Sequence, residues 1–228
     1  MFGIIGAMEI ETEGLIEKLT DRKDVPIRAY KFVCGKLCGK EIVVCKCGIG
    51  KVFSSTAAAL MIAHFEVTDV INIGVAGGVK PLRQGDIVIS ERTVQHDYDA
   101  TADGLIPGQV HGFDSPYFGC DRAVVGELCE VITRLGYRYK VGTIASGDCF
   151  VSDNEKSALI ARRFDAVAFD MESAAINQVC AVQEVGFASL RAISDNGDDS
   201  AVKSFYEFAT EAAAKSIEII TEFIASFG

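Results

Sequence analysis

Val185-Gly186-Phe187-Ala188-Ser189-Leu190-Arg191-Ala192-Ile193-Ser194-Asp195-Asn196 begins as an apolar run and ends in charge. Val185 through Leu190 has the composition of a buried strand. A guanidinium, a hydroxyl and a carboxylate then fall within five residues, before the turn signal Asn196-Gly197-Asp198-Asp199. A carboxylate at the end of a buried parallel strand lies at the carboxyl edge of its sheet, where open α/β sheets bind ligands. Two plainer roles compete for Asp195: capping a helix that begins near Ser200, or pairing with Arg191.

Working outward, strand-like and helix-like segments alternate. Phe2–Met8, Arg28–Leu37, Glu41–Cys47, Asp69–Ile73, Gly85–Gln95, Tyr139–Ala145 and Ala166–Phe169 read as strands. Cys38-Gly39-Lys40 reads as the hairpin turn between two of them. Helices are expected over Glu9–Leu19 (or a loop there), Val52–Phe65, Asp121–Leu135, Asn154–Phe164 and from Glu172 to about Val182. In the last helix Phe205, Phe208, Ala209, Ala212, Ser216, Ile219, Ile220 and Phe223 form a core-facing stripe. His96–Phe118 has no period and reads as a long loop. With no repeat or composition break, this pattern predicts one α/β domain over residues 1–228: a mixed, mainly parallel sheet covered by helices in three αβα layers.

Composition narrows the function. A formal net charge of −10 repels nucleic acid and anionic membranes, so neither is an expected partner. The amino-terminal apolar stretch is too short for a signal peptide and lacks a basic start, and no segment is long enough to span a bilayer. None of the eight cysteines stands in a Cys-x-x-Cys pair, and several sit in apolar runs, as reduced buried thiols do. The three histidines lie far from them in sequence, so no metal site is expected. Reduced thiols imply the cytoplasm.

Strand ends carry the chemistry. Gly6-Ala7-Met8-Glu9-Ile10-Glu11, Gly74-Val75-Ala76-Gly77-Gly78, Phe169-Asp170-Met171-Glu172 and Arg191–Asp195 bring glycines or carboxylates to one sheet edge. Glycine turns let a ligand approach the backbone and its amide donors. Each acid alone has an ordinary explanation, since Glu9, Glu11 and Glu172 suit helix starts. Acids at three strand ends together point to a small polar ligand.

These blocks, with Gly48-Ile49-Gly50-Lys51-Val52 and Ser146-Gly147-Asp148 … Phe150, resemble the bacterial 5′-methylthioadenosine/S-adenosylhomocysteine nucleosidases in order and spacing across almost the whole chain. The resemblance implies a nucleoside phosphorylase-like fold, no cofactor, and hydrolysis of an adenine N-glycosidic bond in methylthioadenosine and S-adenosylhomocysteine, with 5′-deoxyadenosine a third candidate. It casts Asp195 as the acid protonating N7 of departing adenine and Glu11 as the base activating water. Glu172 and the Met171 backbone hold the ribose hydroxyls, while Phe150 and the Val151 backbone hold the purine. Arg191 positions Glu11 or the water. Met8, Ile49, Met171 and Phe205 surround the ribose and its 5′ substituent, and Ala76, Gly77 and Ser194 complete the site. It also implies a homodimer in which the 96–118 loop covers the partner's pocket.

The chemistry fits these roles. Adenine is a poor leaving anion, and a carboxyl in a partly desolvated pocket gains proton affinity and can supply the missing proton. A second carboxylate can stabilise the ribosyl cation and take a proton from water on the opposite face, as in inverting glycosidases. Phosphorolysis needs cationic or amide donors. Related phosphorylases place arginines where this chain has Met8-Glu9 and Val75-Ala76. Val75 replaces a serine of several family members, and Asp103 stands where a related enzyme has an aromatic. Three alternatives remain: an aminodeoxyfutalosine hydrolase, a purine nucleoside phosphorylase, and an Mg²⁺-holding acidic signalling module. The last fits poorly, since such modules are shorter and carry adjacent aspartates that Gly6–Glu11 lacks.

Overall fold

The computed structural model describes residues 1–197 and 200–227. The chain begins with β1 (Phe2–Gly6) and α1 (Glu9–Glu17), followed by β2 (Thr20–Ile27), β3 (Tyr30–Leu37) and β4 (Lys40–Lys46). Next come α2 (Lys51–His64), β5 (Asp69–Gly78), β6 (Ile87–Gln95), β7 (Tyr117–Gly119) and α3 (Arg122–Leu135). The remainder is β8 (Tyr139–Ser146), α4 (Asn154–Phe164), β9 (Ala166–Asp170), α5 (Ser173–Gln183), β10 (Gly186–Asp195) and α6 (Ala201–Ser226). Among the described residues, no helix is long and apolar enough to cross a membrane.

The expected mixed α/β architecture is present, and its sheet also closes on itself. Strand order runs β10-β6-β8-β9-β5-β1-β4-β3-β2, and β10 pairs with β5 as well. Five strands (β5, β10, β6, β8 and β9) therefore form a ring, from which β1, β4, β3 and β2 extend as an open wing. Ala76, Ile193, Val88, Ile144 and Ala168, one from each ring strand, pack together with Leu82 and Val167. Larger apolar cores lie on the two faces. One joins β1, β4, β5 and β10 to α1, α3 and α6 through residues such as Ile4, Leu128, Leu190 and Phe223. The other joins β1, β4 and β5 to α2 and α5 through Ile5, Met61, Val70 and Ile176.

Several elements depart from the sequence expectation. β2 was not expected, because Thr20-Asp21-Arg22-Lys23-Asp24 has no apolar face; its residues are mostly exposed. It forms the sheet edge, where charge and Pro26 are tolerated and discourage further pairing. The glycine run 74–78 continues β5 instead of turning, because the ladder to β10 holds it up to Gly77. By contrast, β10 runs through Arg191 and ends at Asp195, the strand-end carboxylate expected from the sequence. The 96–118 segment is largely loop, with one 3₁₀ turn at Thr101–Asp103 and the start of β7 pairing with β6. Cys38 and Gly39, at φ 50° and 81°, make the expected two-residue hairpin turn. The turn expected over 196–199 includes positions 198 and 199, which lie outside the described residues.

Two irregularities create the place for a site. β1 pairs with β5 only as far as Asn72, and β9 meets β5 only at Gly77 and Gly78. Between them one edge of β5 lacks a strand neighbour. On its other edge, the register to β10 shifts between Ile193 and Asp195, a bulge that re-aims the last residue of the strand.

Candidate active site

A cavity of about 610 Å³ opens at the carboxyl ends of these strands. Glu11 occupies the edge that β1 and β9 leave free. It sits in the first turn of α1 and is buried. Its Oε2 accepts from the amides of Ala7 at 2.7 Å and Met8 at 2.9 Å, and its Oε1 accepts from Val75 N–H at 3.1 Å. Burial raises its proton affinity above the ordinary value, outweighing the opposing pull of Arg191 and the three amides. Gly74 is needed here: a Cβ would lie 2.5 Å from Glu11 Oε1 and collide with Arg191 Nη1.

Glu172 follows β9 and faces the same cavity. Its Oε1 accepts from Gly50 N–H at 2.9 Å, and Oε2 lies 3.6 Å from Arg191 Nη2. Burial pushes its carboxyl up to about 7; Arg191 opposes this and Asp170 adds to it. Asp195 ends β10, accepting from Ser194 Oγ and from Gly197 N–H, each at 2.9 Å. A Cβ on Gly77 would fall 2.9 Å from Asp195 Oδ1, so glycine there lets β5 run close beneath the acid.

The apolar lining comes from the loops and from α6. Met8, Ile49, Phe150, Val151, Met171 and Phe205 all border the cavity, as do Ala76, Gly77 and Ser194. Phe150 is 42% exposed and meets Phe205 edge-on, 5.8 Å between ring centres. A polar clasp holds these loops in place. Lys51 Nζ reaches Asp97 at 2.7 Å, Asp97 accepts from Asp148 N–H at 2.9 Å, and Asp148 accepts from Lys51 N–H at 2.8 Å. The loop carrying Phe150 is thereby tied to the turn carrying Ile49.

Of the residues that the resemblance assigns to the site, all but Arg191 border the cavity. Arg191 lies under the wall, wholly buried, and its side chain pairs with Asp170 at 2.7 Å instead of with Asp195. Burial alone would lower its pKa, but the carboxylates of Asp170, Glu172 and Glu11 outweigh that and raise it. It stays a cation. Sequence reasoning missed Cys149, Ser152, Phe169, Asp170, Val202 and Tyr206 as lining residues. Asp170 had a usable signal, as a strand-end carboxylate two residues before Glu172; Val202 and Tyr206 had none beyond sharing a helix with Phe205. Four carboxylates thus border the cavity: Asp170 is engaged by Arg191, and Glu11, Glu172 and Asp195 come from three separate strand ends. No cationic side chain among the described residues lines it.

Comparison with known proteins gives a consistent picture. The phosphorylase superfamily model matches residues 1–225. A 5′-methylthioadenosine/S-adenosylhomocysteine nucleosidase of Staphylococcus haemolyticus is 40% identical, the alignment covering 98% of this chain and 99% of that protein. The crystal structure of the Neisseria meningitidis nucleosidase of that name, in complex with methylthio-immucillin-A, superposes with a TM-score of 0.96 at 38% identity, covering 99% of each chain. Futalosine hydrolase of Helicobacter pylori is also similar, with a TM-score of 0.94 at 33% identity, covering 98% of this chain and 96% of that one.

Proposed function

Because the chain belongs to the 5′-methylthioadenosine/S-adenosylhomocysteine nucleosidases of the phosphorylase superfamily, we propose that it hydrolyses the adenine N-glycosidic bond of both nucleosides. The products are adenine and the 5′-thio-substituted ribose. The observation that carries hydrolysis over phosphorolysis is the cavity's lining: Glu11, Asp170, Glu172 and Asp195 border it, and no lysine, arginine or histidine among the described residues does. A phosphate dianion would meet carboxylates and no cation. A developing ribosyl cation is stabilised by the same groups.

In this reading Asp195 protonates the purine at N7, with the base against Phe150 and the Val151 backbone. Glu172 and Met171 hold the ribose hydroxyls. Glu11, oriented by three amides, takes the proton from water as the cation forms. Arg191 acts from beneath on the carboxylates and does not touch the substrate. Met8, Ile49 and Phe205, with Val202 and Tyr206, give the remaining wall an apolar surface matched to a thioether. The reading includes a single nucleosidase domain over 1–228, a cytoplasmic location in keeping with its free cysteines, and a homodimer. For the dimer, Val52, Phe53 and Val182 on the packed pair α2 and α5 are each more than half exposed.

The test is incubation with methylthioadenosine, with and without phosphate, following adenine and the sugar. Adenine plus free methylthioribose at a phosphate-independent rate supports the proposal, and phosphorylated sugar refutes hydrolysis. The similarity to futalosine hydrolase gives aminodeoxyfutalosine a place in the same assay; cleavage of that nucleoside alone would transfer the fold and site to the second substrate.

A further inference from the structure

Three buried carboxylates share one guanidinium. Arg191 Nη2 lies 2.7 Å from Asp170 Oδ2 and 3.6 Å from Glu172 Oε2, and the Glu11 carboxylate acts on it across the space that a Gly74 side chain would fill. Asp170 differs from the other two acids in its own bonding. Its Oδ1 accepts from Ser146 Oγ at 2.5 Å and from the amides of Glu172 and Ser173 at 3.4 and 3.3 Å. Its Oδ2 accepts from the Ser173 amide at 3.3 Å, from Ser173 Oγ and from the guanidinium. Ser173 Oγ also meets Arg191 Nε at 3.4 Å and Nη2 at 3.1 Å, while Asn72 Oδ1 accepts from Nη2. The guanidinium is thus seated on its Asp170 side by hydroxyl, amide and carboxylate. A planar fork next to a carboxylate otherwise favours a two-bond pair, and Glu172 is close enough to receive one.

We propose that Asp170 is a positioning residue of this site: it seats Arg191 away from Glu172 and Glu11, so that the two carboxylates facing the cavity share a cation already bound elsewhere. This rests on the nucleosidase reading for its catalytic meaning, since it is Glu11 that must accept a proton and Glu172 that must hold the ribose. The charged and titratable groups around the cluster are Glu11 on α1, Cys47 after β4, His96 after β6, and Arg191 on β10. Cys47 is pushed up by burial and stays a neutral thiol, and burial lowers His96 toward its neutral form. Near neutral pH the balance therefore lies among Arg191 and the three acids. Asp170 adds to the raised proton affinity of Glu172, and Arg191 opposes it. Without the Asp170 charge, all of the cation's field falls on Glu172 and Glu11, and both ionise at lower pH.

The test compares Asp170→Asn, Asp170→Glu and Ser173→Ala. One readout is the acidic limb of kcat/KM for methylthioadenosine. The other, independent of turnover, is the ¹³C-carboxyl titration of glutamate-labelled protein, with Glu172 assigned through Glu172→Gln. Asp170→Asn is expected to move the limb and the Glu172 midpoint down by about one pH unit. Asp170→Glu keeps the charge and leaves both in place. Ser173→Ala, which keeps the Asp170 charge but removes the hydroxyl shared by Asp170, the guanidinium, Asn72 and Ser189, moves them in the same direction as asparagine. A folded Asp170→Asn protein with an unmoved midpoint overturns the proposal, as does an equal shift in Asp170→Glu. If Asp170→Asn does not fold, an unmoved midpoint in Ser173→Ala overturns it. Absence of turnover in the unmodified protein would sink the nucleosidase reading and leave the carboxyl titration to judge Asp170.

Discussion

Glutamine in place of Glu172 is expected to stabilise the ligand-free protein in a pH-dependent way while destroying its hold on ribose. Glu172 is 4% exposed, and its carboxyl titrates at about 7 instead of the ordinary 4.5. Between these values the folded state binds a proton that the unfolded state releases, so stability falls as pH rises through that window. Above pH 7 the full penalty applies, roughly 3 kcal/mol for a displacement of this size; below pH 4.5 both states are protonated and it vanishes. Glutamine imitates the protonated form at every pH and still accepts from Gly50 N–H. Allowing about 1 kcal/mol for imperfect rebonding, the gain at pH 8 is about 1–3 kcal/mol, and a chain of this size gains about 2–4 °C in Tm per kcal/mol. Thermal unfolding followed by circular dichroism at pH 5 and pH 8 measures it. The substituted protein should melt several degrees higher at pH 8, and the difference should mostly close at pH 5. A Tm at pH 8 equal to or below that of the parent, or a gain of the same size at pH 5, refutes the charge argument.

Four further outcomes are expected. Asp195→Asn lowers kcat by about 10²–10⁴-fold if the residue donates a proton, with Tm little changed; near-normal turnover would return Asp195 to a turn-forming role. Glu11→Gln loses a comparable factor while still binding a non-hydrolysable adenosine thioether, measured by calorimetry, and weak binding would contradict its role toward water. Gly74→Ala forces a methyl group against Glu11 and Arg191 and should cost about 1–3 kcal/mol along with activity. By contrast, Gly126→Ala in α3, where a Cβ meets nothing within 4 Å, should stabilise by roughly 0.5–1 kcal/mol, as chemical denaturation can check.

The site was more legible in the sequence than the sheet around it. Glu11, Glu172 and Asp195 each fall just past the end of an apolar run, which drew notice to the strand ends, while the resemblance singled them out over neighbours such as Glu9 and Asp170. Local pattern is what a single sequence displays. The ring closure was invisible because β10 meets β5 and β6 through residues far apart in the chain, such as Leu190 opposite both Ile73 and Ile89. Glycines 74–78 read as a turn because their own preferences favour one, whereas pairing with β10 holds them extended. β2 escaped because an edge strand between two solvated faces needs no alternation. Arg191 stood within the motif, but its partner could not be read from it: Asp170 lies on another strand, and only the closed ring brings the two together.

The unoccupied edge of β5 has a consequence for how this site can change. Its location is set by main chain, where one neighbouring strand stops at Asn72 and the next begins at Gly77. The side chains bordering the gap from loops and from α6, such as Ile49, Phe150, Phe205 and Tyr206, make no part of the ladder. Exchanging them reshapes the opening without altering what creates it. The architecture thus separates where a ligand binds from which ligand is accepted. New selectivity is reachable through loop and helix substitutions alone, with the acids and their amide donors left standing.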